Sequence, residues 1–456
     1  MESLSMHTHA RRLAWLASTV LGALALGCDE PPAPTAQATA ARAEATQPAA
    51  AAAHAAPGLK TDKGVDPATK TVRLGVLNDE SGPAAAIGKP YAVGKRILAA
   101  QVNAGGSGIL PDGWKVELVE RDHGYNPQKA VQVYGEIKDD VLLIAHSFGT
   151  PNTLPLRPML TRDAMIALPA SLSSVMAEHR STIPVGTSYA VESERAVDWW
   201  ITEQNKAKKP ISAIKAAIVY QSDDYGQDGY AGFRKAIDEH GIAIVGEHKV
   251  LAGQRDFDAI IEELKEGGAT HVLLTILPSA TTPFLEAAQR LRYKPLFTGN
   301  TPTWIDAFFD AQVAPAALFA NYALVSGESY WGEDLPGMPK FLDAYEKYGK
   351  HESPPDAYVL ASYRQGLIAL ELVKRAIEAG DATRAGVLAV VPKLQGFDAG
   401  GLGQAVDLGT FPYVTSTRVR VRKPDFKRKT WNVVTDSEVP ANPPSDSGRP
   451  PAQRET

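Results

Sequence analysis

Residues 213–250, AIKAAIVYQSDDYGQDGYAGFRKAIDEHGIAIVGEHKV, decide the fold. An apolar run over 213–220 ends in the polar loop Gln221-Ser222-Asp223-Asp224-Tyr225-Gly226. Residues 229–240 then read as a helix, and 242–248 as a second strand. A parallel pair needs a crossover of about a dozen residues or more, and this segment supplies one.

The alternation extends both ways. Downstream the pattern predicts a helix over 257–266, a strand over 271–277, a helix over 281–291 and a strand over 295–298. Upstream it predicts strands over 71–77, 114–119, 141–145 and 165–168, with helices over 89–102 and 190–203. Asn126-Pro127 supplies a capping side chain and a first-turn proline for a further helix reaching about residue 139. Helices over 339–348 and 356–379 and closing strands over 414–422 and 430–434 complete the chain. Strands alternating with 10–15-residue helices imply parallel sheets covered on both faces. Two such series, meeting near Thr187-Ser188-Tyr189, predict an α/β fold with two lobes.

The chain has 456 residues, with 47 Lys plus Arg against 52 Asp plus Glu, a formal charge of -5. That balance, without a long basic run, argues against nucleic-acid binding. The single cysteine, Cys28, excludes an internal disulfide and any Cys-rich metal site. The ten histidines show no ligand spacing, so neither a metal nor a cofactor is expected. Arg11-Arg12 followed by an apolar stretch over 13–26 has the form of an export signal. It ends in Leu24-Ala25-Leu26-Gly27-Cys28, which resembles a bacterial lipoprotein box, with Ala25 where Leu is usual. The resemblance implies cleavage before Cys28 and lipidation of that residue, hence a membrane-anchored protein outside the cytoplasm. Loss of residues 1–27 takes the formal charge from -5 to -6. No run of about 18 apolar residues remains to span a membrane. Residues 28–70, largely Ala, Pro, Thr and Gln at first, read as a disordered tether, and 436–456 as a disordered tail.

Doubly wound sheets bind ligands beyond the strand carboxyl ends. The loops predicted there include Asn78–Pro83, Arg121–Tyr125, His146–Thr150, Pro169–Ser171, Gln221–Gly226, Pro278-Ser279 and Gly299–Thr301. They are rich in hydroxyls, small residues and tyrosine and poor in paired carboxylates. Hydrogen-bonded recognition of a small polar molecule suits them better than acid–base chemistry.

Three motifs compete with that reading. Gly82–Lys89 resembles a phosphate-binding loop but has one residue too many between its glycines and Pro90 in place of the magnesium-holding hydroxyl. Gly226, Gly229 and Gly232 do not match the dinucleotide spacing. Ala145-His146-Ser147-Phe148-Gly149 resembles a nucleophile elbow, which would make Ser147 the nucleophile of a hydrolase. Pro155 and Pro158 would break the helix such an elbow needs, and the downstream histidines do not suit a triad: His179, His240, His248 and His271 fall on helix ends or strands, and His351 in a loop between helices.

The stretches GVLNDESGPAAAIGK, VERDHGYNPQKAV, AHSFGTPNTLPLRPML, VYQSDDYGQDGYAGFRKAI and PDAYVLASYRQGLIALELV, in this order, resemble the bacterial substrate-binding proteins of the branched-chain amino-acid ABC-transporter class. The resemblance covers about residues 71–434 and implies a type I periplasmic binding protein fold: two doubly wound lobes, joined by three crossover strands, that close on a ligand. Lobe one would then span 71–188 and 326–408, and lobe two 189–325 and 409–435. It also implies a non-enzymatic, monomeric protein delivering a small molecule to a permease and ATPase, or, alternatively, sensing it for a receptor.

Carried over position by position, the resemblance assigns Ser147, Phe148, Gly149 and Thr150 to the ligand carboxylate. Ala170, Ser171 and Ser173 fall in the next ligand loop. Tyr225 covers the ligand, Tyr189 faces the cleft at the first crossover, and Ser279 and Thr301 lie in the remaining loops. One departure concerns the acid that pairs with a ligand ammonium just after the Gly299 position, where this chain has Asn300-Thr301. Asp306, Glu328 or another acid would have to replace it, or the ligand carries no ammonium. An unpaired ammonium in a dry cleft would cost several kcal/mol, roughly.

Overall fold

The computed structural model describes residues 58–438; the expectations for Cys28, the export segment and the chain beyond residue 438 lie outside the described residues. In chain order the first half holds β1 (Lys60–Thr61), β2 (Val65–Asp66), β3 (Thr71–Asn78), α1 (Ala85–Asn103), β4 (Lys115–Asp122) and α2 (Pro127–Ile137). Then come β5 (Leu143–Phe148), α3 (Thr150–Thr153), α4 (Arg157–Arg162), β6 (Ala167–Ala170) and α5 (Ser174–Ala177). The second half opens with α6 (Tyr189–Lys206), β7 (Lys215–Gln221), α7 (Asp224–His240), β8 (Ala243–Val250) and α8 (Asp258–Glu266). It continues through β9 (His271–Thr275), α9 (Pro278–Arg290), β10 (Leu296–Gly299) and β11 (Tyr322–Ser326). The chain then returns for α10 (Met338–Tyr348), α11 (Ala357–Glu378), β12 (Asp381–Ala382) and α12 (Arg384–Val390), and ends in β13 (Arg418–Asp425) and β14 (Thr430–Glu438).

These elements build the expected α/β architecture on two main sheets, with β1 and β12 forming a separate two-stranded one. In the first, β4, β3, β5 and β6 are parallel neighbours, and β2 pairs antiparallel with the start of β3. In the second, the order is β14-β13-β11-β10-β9-β7-β8, parallel from β11 to β8 and antiparallel at the β13–β14 edge. β5 and β9 are buried along their whole length, as strands covered on both faces must be. The first core packs β3 and β5 against α1, α10 and α11 through Leu74, Ile97, Leu143, Phe341 and Leu372. In the second half, Trp200 and Phe233 cover one sheet face, and Phe257 and Phe284 the other.

The chain passes between the sheets three times, at 171–188, 327–337 and 409–417. The passages lie side by side. Gly186 N–H donates to Thr415 Oγ1 (3.0 Å), Thr187 Oγ1 donates to the Arg418 carbonyl (2.8 Å), and Gly327 N–H donates to Glu192 at the start of α6 (3.0 Å).

Local sequence explains most element ends. Asn126 accepts the Lys129 N–H at 3.0 Å, the cap expected for α2. After β5 the helix breaks into α3, a 3-10 turn over Leu154–Leu156 and α4, as Pro155 and Pro158 require. Several segments differ from expectation, among them α5, β12 and α12, which were not predicted. Residues 58–70, expected in the tether, contribute β1 and β2, which pair with β12 and β3. β14 runs to Glu438, past residue 436 where the tail was expected to begin. β11, unpredicted, sits mid-sheet between β10 and β13.

Candidate functional site

Between the two sheets lies a cleft of about 610 Å³, counting its mouth. Its first wall comes from the carboxyl ends of β5 and β6. Phe148 ends β5, and Gly149 turns the chain with φ 83°, a left-handed value that favours glycine. A Cβ at Gly149 would also stand 2.9 Å from the Tyr125 ring. Thr150 Oγ1 and Ser171 Oγ lie 2.7 Å apart, both buried, one from each strand end. The β6 end is pinned from behind: Gln365 of α11 donates to the Pro169 carbonyl (2.9 Å) and accepts from Lys95 of α1 (3.0 Å). The Lys95 ammonium also donates to Ser362 O (2.7 Å) and Oγ (3.1 Å), and burial pulls its pKa well below the usual lysine value.

The opposite wall belongs to the second half. Tyr225, in the first turn of α7, donates to Asn300 Oδ1 at 2.8 Å, and its ring meets the Tyr189 ring edge-on at 4.9 Å. Tyr358 of α11 reaches across to donate to the Thr301 carbonyl at 2.9 Å. With Tyr91 and Tyr125, five tyrosines line the cleft, joined by Phe148 and by aliphatic residues such as Ile87, Leu172 and Leu277. Such a surface suits an apolar or aromatic body held by a few polar groups.

Among the described residues, Glu328 is the only formally charged side chain lining the cleft. Its carboxylate forms no hydrogen bond and no ion pair among the described residues. Burial raises its pKa, against the pull of Arg364, Arg420 and Arg422. The last two are already bound to Glu333, at 2.6 and 2.7 Å. A Cβ on Gly186 would stand 2.2 Å from Glu328 Oε1, so the acid keeps its place only beside a glycine. Of the two acids named from the sequence, Glu328 therefore borders the cleft. Asp306 sits outside its lining, bound to Trp304 Nε1 (3.0 Å) and Ala357 N–H (2.8 Å).

Behind Thr301 stands Glu192, fully buried, which sequence reasoning missed. Its carboxylate accepts Thr301 N–H (3.0 Å), Thr301 Oγ1–H (2.5 Å) and Gly327 N–H (3.0 Å), and burial raises its pKa to about 8. It thereby fixes a cleft residue and a chain passage to α6. Tyr125, also absent from the sequence-derived site, donates to Asp223 across the cleft mouth at 3.0 Å.

Of the residues expected at the site, Phe148, Gly149, Thr150, Ala170, Ser171, Tyr189, Tyr225 and Thr301 border the cleft. Three stand behind the wall. Ser147 Oγ pairs with Thr153 Oγ1 at 2.7 Å, Ser173 is the N-terminal flanking residue of α5, and Ser279 Oγ is buried in α9 without a hydrogen-bond partner. Next to Ser147, His146 is buried against Tyr91 (4.6 Å between ring centres), with both ring nitrogens unpartnered. No Ser147–imidazole hydrogen bond exists among the described residues.

The chain is similar to several known proteins. A Leu/Ile/Val-binding protein homolog 7 from Brucella abortus is 24% identical over 363 residues, covering 75% of this chain and 82% of that protein. A fatty acid ABC transporter substrate-binding protein from Thermomonospora curvata superposes with a TM-score of 0.76 at 25% identity, covering 84% of this chain and 96% of that one. A branched-chain amino acid ABC transporter protein from Thermus thermophilus, with bound valine, gives 0.69 at 20% identity over 80% and 96%. Residues 71–411 match the periplasmic binding protein family, and the chain belongs to it.

Proposed function

We propose that this protein captures a small carboxylate-bearing solute, most simply an amino acid with an apolar or aromatic side chain, and hands it to an ABC permease and its ATPase. The observation that carries this reading is the pairing of donors with an unpaired acid in one aromatic cleft. Thr150 and Ser171 offer hydroxyls, with the Thr150 amide beside them, and Glu328 offers a carboxylate for an ammonium. Tyrosines between them suit the side chain. Relatives carrying names for Leu/Ile/Val and for fatty acids support a solute with one carboxylate and an apolar body. A solute touching both halves favours the closed form by its extra contacts there. The protein is proposed to do no chemistry on the solute, and Cys28 is proposed as its lipid anchor outside the cytoplasmic membrane.

A thermal-shift screen of amino acids, amides and aromatic acids tests this, since a solute that binds only the folded state raises the melting temperature. The expected result is a saturable rise with at least one compound. Failure of every compound, together with labelling of Ser147 by an active-serine probe, would favour the hydrolase reading instead.

A further inference from the structure

Asp306 and Asp356 meet across the seam between the two halves, apart from the three chain passages. Asp306 lies in the connection between β10 and β11 of the second sheet, and Asp356 caps α11, which packs along α1 in the first half. Each carboxylate accepts a backbone N–H from the other's segment: Ala357 N–H reaches Asp306 Oδ2 at 2.8 Å, and Asp306 N–H reaches Asp356 Oδ2 at 3.3 Å. The second oxygens are held too, by Trp304 Nε1 on Asp306 (3.0 Å) and Tyr358 N–H on Asp356 (2.8 Å). No cation stands within ion-pair distance of either acid among the described residues. The groups facing the pair are Arg422 of β13 and Tyr330 of the second passage, toward Asp306, and Tyr358, toward Asp356. Arg422 is already bound to Glu333 at 2.7 Å.

We propose that Asp306 and Asp356 form a proton-linked latch, so that the two halves close with one of these carboxyls protonated and part when that proton leaves. The proposal rests on the solute-capture reading and adds its regulation. Two ionised carboxylates in a dry seam repel, and that repulsion is relieved either by a proton or by opening to water. Burial raises Asp306 to about 6, and burial together with the Asp306 charge drives Asp356 well above the usual carboxyl range. An open form that admits water to both groups would let them fall back toward the ordinary value of 3.8. Closure therefore takes up a proton. The closed form is favoured at low pH and loses that advantage as pH rises through the raised values, by at most about tenfold per pH unit for one proton. Solute would be held more tightly in acid surroundings.

Hydrogen exchange on the solute-free full-length protein tests the latch without needing to know the solute. Amide protection in the segments holding Asp306 and Ala357 is compared at about pH 5 and about pH 7.5, with exchange times scaled to intrinsic rates. The expected result is protection about tenfold or more greater at the lower pH in the unaltered protein. Asp306→Asn, whose amide stands in for the neutral acid, should lose the pH difference, although its NH2 faces the Ala357 or Trp304 donor and lowers protection at both values. Asp356→Asn retains a capping oxygen and serves the same comparison if the first variant does not fold. Equal protection at both pH values in the unaltered protein, or an unchanged pH difference in the folded variants, would overturn the latch. It would leave solute capture to be judged by the thermal-shift screen.

Discussion

The Tyr125 hydroxyl donates to Asp223 Oδ2 at 3.0 Å, joining the loop after β4 to the cap of α7 across the mouth of the cleft. Gln221 donates back to the same hydroxyl at 3.2 Å. Tyr125 holds φ 58°, a left-handed value uncommon for a bulky residue, which aims its ring over Gly149. If solute capture closes the two halves, this bond is one of the closing contacts, and Tyr125→Phe should weaken solute affinity about tenfold, the value of one strong hydrogen bond at roughly 1.5 kcal/mol. Calorimetric titration with the best compound from the thermal screen measures it. An unchanged dissociation constant would remove this bond from the closing contacts.

Glu328→Gln separates ammonium recognition from carboxylate recognition. The substitution keeps the shape of the side chain and removes its charge. Affinity for L-leucine or L-phenylalanine should fall by at least about 2 kcal/mol, roughly 30-fold, because a desolvated ammonium would lose its counter-ion. The corresponding acids without the amino group should bind the variant as well as they bind the unaltered protein. If the desamino acids bind the unaltered protein more tightly than the amino acids do, Glu328 does not select a cation.

Thr150 and Ser171 offer the reverse experiment. Their hydroxyls satisfy each other at 2.7 Å, so Thr150→Val leaves Ser171 able to reorient toward the solute. The double variant Thr150→Val, Ser171→Ala removes both donors. We expect the single variant to cost about 1 kcal/mol of binding and the double variant about 2–3 kcal/mol, with little change in stability once both polar groups are gone. Equal losses in the two variants would assign the work to Thr150 alone.

How much of this the sequence discloses depends on where the information lies. The strands and helices of 213–250 stand within a few residues of their expected bounds, except that α7 starts at Asp224, five residues early, because Asp223 caps it by accepting Gly226 N–H. β1 and β2 are two residues each, too short to carry a period, and β11 is a five-residue run that follows an equally apolar loop. At the site, loop position is legible but side-chain direction is not. β5 is buried on both faces, so alternation cannot tell that Ser147 turns to Thr153 while Phe148 meets the cleft. Glu328 reaches the cleft from a chain passage, and Glu192 sits among Glu194 and Arg195 in a stretch that reads as a solvated helix face. Only tertiary packing distinguishes these acids from surface charge.

Glu192 also predicts a pH dependence of stability. Its ordinary value of 4.5 rises to about 8 in the folded protein because burial disfavours the charged form. Folding therefore takes up a proton between these values. The stabilisation is fully present below 4.5 and is lost as pH rises through about 8, at up to about 1.4 kcal/mol per pH unit. Other buried acids, Glu328, Asp306 and Asp356, shift the same way, so the contribution of Glu192 is isolated by difference. Glu192→Gln puts an amide where the carboxylate meets three donors, and one of its oxygen sites becomes a donor facing Thr301 or Gly327. It should cost about 2–4 kcal/mol at pH about 5 and less at higher pH, because the variant has no proton to lose. Urea midpoints of both proteins across this range measure the difference. A constant gap between the two curves would mean that Glu192 keeps one ionisation state throughout.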